Sequence, residues 1–130
     1  SITPVTYVDT LEKYYGSNYR SYYWPGEGSV YSGICNSDLL TKYYNCRSTI
    51  VGSTEQALAA LENGKAVIGS EKGHILAVLP LSDEYKEQGY KFYVLDSARG
   101  HNGPFKSVSH FISSTSAAFL NFHYIIEPIK

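Results

Sequence analysis

Apolar positions change their spacing about halfway along this chain. Early on they recur at helical intervals, with Val5, Val8, Leu11 and Tyr15 close to a period of 3.6. Thr3-Pro4 supplies a start for that helix, because Thr can cap and Pro suits the first helical position. Gly16 supplies an end. A second helix is expected over residues 36–45, with Asn36 or Ser37 as its cap and Leu39, Leu40 and Tyr43 on one side. Ser53-Thr54-Glu55-Gln56 is a capping box ahead of the helix-forming stretch Ala57 to Glu62, and Gly64 stands where a C-terminal glycine belongs. Beyond it the period drops to two. Ala66 to Gly69 and His74 to Leu79 read as strands joined by a Glu71-Lys72-Gly73 turn. Arg47 to Val51, Tyr90 to Asp96 and Phe119 to Ile126 read as further strands, and Ser107 to Ile112 as a short amphipathic helix. Residues 17–34, rich in Tyr, Ser and Gly, read as a long ordered loop. Helices first and strands later predict the α+β class, with N-terminal helices packed on a mainly antiparallel sheet.

Composition narrows this picture only a little. A chain of 130 residues, 43% hydrophobic, suits one domain with its own core. The formal net charge of −1 and scattered basic residues argue against nucleic acid as a partner. No apolar run approaches the roughly 18 residues a membrane helix needs. The chain has no Met and begins at Ser1, so processing, or excision from a longer protein, is expected. Thirteen tyrosines suit either the packing of a small sheet or the wall of a groove.

Alternation puts His74, Leu76 and Val78 on one face of their strand. Asp96 ends another strand in phase with Phe92 and Val94. If the two strands pair antiparallel, His74 and Asp96 come together. A carboxylate there would hold one imidazole nitrogen and leave the other free as a base. The same pattern also fits a plain buried His–Asp pair. Metal chemistry is not expected: the four histidines lack spacings such as HExxH, and no CxxC occurs. No cofactor is expected either. Gly26-Glu27-Gly28 is too short for a phosphate loop, and Asp83, Glu84 and Glu87 read as a solvated hairpin tip.

The run Leu58-Ala59-Ala60-Leu61-Glu62-Asn63-Gly64-Lys65-Ala66-Val67-Ile68, then Gly73-His74-Ile75-Leu76-Ala77-Val78, resembles the C39-peptidase-like domains. So does Tyr93-Val94-Leu95-Asp96-Ser97-Ala98-Arg99-Gly100 with Gly103-Pro104-Phe105. These are papain-like cysteine peptidases, typified by enzymes that cut after double glycine, and the similarity covers roughly residues 16–125. It implies a papain-like fold, a peptide or protein substrate, His74 as general base and Asp96 as its orienter. A bacterial, extracellular or cell-surface setting goes with it.

The nucleophile is where the pattern breaks. In the resembling family a cysteine opens the first helix, and that position falls at or just before residues 1–3, which are Ser1, Ile2 and Thr3. Three explanations stay open: Ser1 replaces the cysteine, the cysteine lies upstream, or the domain binds peptide without cutting it. The family's oxyanion glutamine has no counterpart either, since Gln56 and Gln88 stand in the wrong places. Cys35 is a rival nucleophile, directly ahead of the second expected helix, but His74 follows it closely in sequence. A helix over residues 36–45 would separate Cys35 from Cys46 by about 16 Å, against the less than about 7 Å that a disulfide spans. Tyr22, Tyr23 and Trp24 form a candidate wall of the peptide groove, or a loop packed for stability.

Overall fold

The computed structural model describes residues 4–22, 36–96 and 99–129. It falls into two compact units, Ser1–Ser48 with Pro128–Lys130, and Thr49–Glu127. Among the described residues the chain is α+β, with five α-helices, one 3-10 helix and a six-stranded antiparallel sheet.

In the smaller unit, α1 spans Pro4–Tyr15 and continues as a 3-10 helix over Gly16–Tyr22. The expected long loop therefore begins with helical turns. The second helix, α2, is Ser37–Tyr44. Its cap is Asn36, whose side chain accepts the Leu39 N–H at 3.0 Å. Leu11, Leu39 and Leu40 are buried. Tyr44 donates its hydroxyl to Thr10 Oγ1 at 2.8 Å, and Tyr14 meets Tyr43 edge-on. Cys46 carries a free thiol, while Cys35 lies outside the described residues.

The larger unit holds the hydrophobic core. Strand β1, Cys46–Ile50, begins in the smaller unit and ends in the larger one, where helix α3 is Thr54–Glu62, capped by the Ser53 side chain on the Gln56 N–H at 3.1 Å. The Gln56 side chain accepts from the Gly52 N–H, one residue before the cap, so the box closes slightly wider than the sequence pattern implies. Strands β2 (Ala66–Glu71) and β3 (His74–Leu79) form a hairpin across Lys72 and Gly73. A single helical turn, α4 (Asp83–Glu87), lies in the connection from β3 to the next, antiparallel strand, and its residues are exposed, as expected of a solvated hairpin tip. Strand β4 (Phe92–Leu95) pairs with β3 and with the unforeseen three-residue β5 (Gly103–Phe105). Helix α5 is Val108–Thr115, capped by Ser107, and β6 is Asn121–Pro128. Strand order is β1-β6-β2-β3-β4-β5.

One face of this sheet is apolar because alternate residues of neighbouring strands line up. Val67 pairs with Val78, and Val78 with Val94, so all three point the same way. They join Ala57 and Leu61 of α3, Phe111 of α5, and Phe92, Phe105 and Ile125 in one buried cluster. Burial of such side chains is worth about 1.5–3 kcal/mol each and dominates the stability of the unit. Strand β6 carries one extra residue near His123, which shifts its register on β2 between Ile68 and Gly69. The two backbones crowd there. A Cβ on Gly69 would lie 2.8 Å from the Asn121 carbonyl oxygen, which explains the glycine.

Candidate functional site

The apolar face ends in charge. Glu71 is the last residue of β2 and pairs directly with His74, the first of β3. Both lie in phase with Val67 and Val78. Continuing the β3–β4 register one step beyond Ala77 and Leu95 puts Asp96 opposite Leu76, on the same face. Three strands thus bring Glu71, His74 and Asp96 to one corner of the sheet. The expected pairing of His74 and Asp96 is present, on a diagonal rather than side by side.

His74 Nε2 donates to Asp96 Oδ1 at 2.6 Å. The donor nitrogen is the informative detail. With Nε2–H held by the carboxylate, Nδ1 is the nitrogen left with a lone pair. The imidazole is partly exposed, whereas Asp96 is 1% exposed. The loop after β4 holds the carboxylate. Asp96 Oδ1 also accepts the Arg99 N–H at 3.0 Å, the Asp96 N–H donates to Asn102 Oδ1 at 2.6 Å, and Gly100 closes a turn onto the Asp96 carbonyl. A carboxylate fixed from several sides keeps the ring it holds in one orientation.

Glu71, the second carboxylate, is also 1% exposed. Its Oε2 accepts from His101 Nδ1 at 3.0 Å, and Arg99 Nη1 lies 3.4 Å from Oε1. His101 lies 3.9 Å from Asp96 Oδ2 as well, and its ring meets Phe111 edge-on. A cavity of about 530 Å³ opens beside this cluster, lined by Glu71, Gly73, Arg99, His101, Ser116 and Ala117 among others. A larger one, about 750 Å³, lies between α3 and α5 with Lys86, Lys91 and Lys106 at its edge, and neither His74 nor Asp96 lines it.

Sequence reasoning missed Glu71 because Glu71-Lys72-Gly73 looked like a solvated turn. The turn needs only Lys72 and Gly73, with Gly73 at φ +67°. The alternation of Val67, Gly69 and Glu71 was the available signal. Arg99, His101 and Asn102 left no periodic signal, since they sit in a loop. Of the other candidates, Ser1, Tyr23, Trp24 and Cys35 lie outside the described residues, and Tyr22 ends the 3-10 helix.

The opposite face carries a second imidazole contact. Ser70, one residue before Glu71 and therefore turned the other way, is 3% exposed. Its Oγ lies 2.7 Å from His123 Nε2. Burial lowers the His123 pKa below the ordinary histidine value.

Fold and site together define an α+β chain in which a buried carboxylate holds a partly exposed imidazole at one corner of an antiparallel sheet. Comparisons with protein-family models, with curated proteins and with solved structures found no match. Among the described residues, no helix is long and apolar enough to cross a membrane.

Proposed function

We propose that this is a papain-like thiol peptidase domain of the C39-like kind, in which His74 is the general base and Asp96 its orienter. One observation carries the reading: the 2.6 Å bond from His74 Nε2 to a carboxylate buried at the end of the core face. That contact leaves Nδ1 as the basic nitrogen of a partly exposed ring.

In this reading the nucleophile is a thiol. Its proton passes to His74 Nδ1, and the thiolate attacks the carbonyl carbon of the scissile peptide bond. The imidazolium, stabilised by Asp96, returns the proton to the leaving amine as the carbon–nitrogen bond breaks. Water then attacks the thioester, giving up a proton to Nδ1, and the second product leaves as the acid while the thiol recovers its proton.

Thiol labelling tests this. With iodoacetamide at neutral pH, one cysteine should alkylate much faster than the others. His74→Ala should slow that cysteine by about 10²-fold or more, in the range a positioned base supplies. Uniformly slow labelling, or a fast cysteine indifferent to His74→Ala, rejects the peptidase reading. Peptide binding without a fast thiol would mark the domain as a binding module.

A further inference from the structure

We propose that Glu71, His74 and Asp96 form a binding site for a divalent transition-metal ion of the zinc type. One ligand atom from each lies within 4.8 Å of the others. His101 Nδ1 lies 3.0 Å from Glu71 Oε2 and 3.9 Å from Asp96 Oδ2, and would have to shift toward His74 to serve as a fourth ligand. Zinc takes imidazole nitrogen and carboxylate oxygen at about 2.0–2.2 Å in a tetrahedron, so the ligand atoms need to settle about 3.3 Å apart. The longest separation must close and the His74–Asp96 contact must open slightly. Calcium and magnesium fit poorly, because they want about six or more oxygens.

The independent observation is the state of Glu71. Its side chain is buried, and among the described residues Oε1 accepts no hydrogen bond. Buried charges are normally paired or coordinate metals. Two carboxylates lie buried here, and the permanent cation beside Glu71 is Arg99, which is 42% exposed. A divalent ion would offset both carboxylates at once. The neighbouring cavity provides access, since Glu71 and His101 line it.

Coordination at His74 Nε2 would shift the ring proton to Nδ1, so binding an ion and offering Nδ1 as a base are alternative states of one ring. The proposal uses only the geometry of the corner and needs no hydrolytic activity.

The test is titration of the full chain with Zn²⁺ and with Co²⁺, followed by calorimetry and visible absorption. The expected result is one ion per chain at micromolar affinity or tighter and intense tetrahedral cobalt bands. Glu71→Gln should weaken binding about tenfold and His74→Ala about a hundredfold, with far-UV circular dichroism showing that each variant folds. Should a variant fail to fold, the cobalt spectrum of the unmodified chain decides alone. No binding below about 1 mM, equal affinity in both folded variants, or a thiolate-to-cobalt charge-transfer band would overturn the proposal. Because the readout is binding, failure here leaves the base role of His74 standing.

Discussion

Two imidazoles sit on one sheet, on opposite faces, and their surroundings differ. His74 leaves the apolar face at its charged corner, bonded to a buried carboxylate, with Glu71 opposite it across the hairpin. His123 lies near the bulge of β6, beside the buried Ser70 hydroxyl on the other face, and desolvation pushes its pKa down. Burial favours the neutral ring at His123. At His74 the carboxylate fixes the orientation of the ring through Nε2 and leaves Nδ1 toward the partly exposed side. Residue type is the same in both; the side of the pleat decides.

The sharpest way to break this contrast is to truncate each ring. His74→Ala should lower any hydrolytic or thiol-labelling rate about 10²–10⁴-fold, while His123→Ala should leave that rate within about twofold, measured side by side. Equal losses would end the distinction. Next in size is the coupling inside each pair. A double-mutant cycle on His74 and Asp96 should give about 1.5–3 kcal/mol, as for a hydrogen bond to a charged group, and one on Ser70 and His123 about 0.5–1.5 kcal/mol. Denaturant unfolding of the single and double variants measures both.

Gly69→Ala probes the bulge that separates the two settings. Its Cβ would meet the Asn121 carbonyl at 2.8 Å, so the strands must part, at a cost of about 1–3 kcal/mol. Chemical shifts of His123 should move more than those of His74. The smallest effect concerns pH. A folded-state pKa below the unfolded one means that the folded chain holds fewer protons in between. The His123 contribution is therefore full above the unfolded value of about 6.5 and is lost as pH falls toward the folded value. Wild-type stability should drop between pH 7.5 and pH 5 by more than that of His123→Gln, as read by urea unfolding at each pH.

Much of the local structure was written in short-range chemistry. Ser53 and Asn36 cap the helices that their spacing announces, Ser107 caps the helix it was expected to begin, and the period-two runs became β2, β3 and β4. These features are legible because propensity, capping and alternation act over a few residues. Errors arose where a local pattern fits two outcomes. The loop expected from residue 17 begins instead as 3-10 turns through Tyr22, and Gly103 to Phe105 was too short to announce itself as a strand.

The candidate site was half legible. His74 and Asp96 emerged because both end strands in phase with core residues, and strand pairing is easily guessed for neighbours in sequence. Glu71 was obscured by a turn one residue shorter than it looked. Arg99, His101 and Asn102 depend on how one loop folds back, and nothing periodic records that. So the amino-acid sequence by itself determined the α+β class, the helix caps and the face on which each strand residue lies, all consequences of chirality and backbone period. Tertiary structure alone decided that two buried carboxylates share a corner with two imidazoles. That outcome depends on register and loop closure, which bring together groups that no short stretch of chain connects.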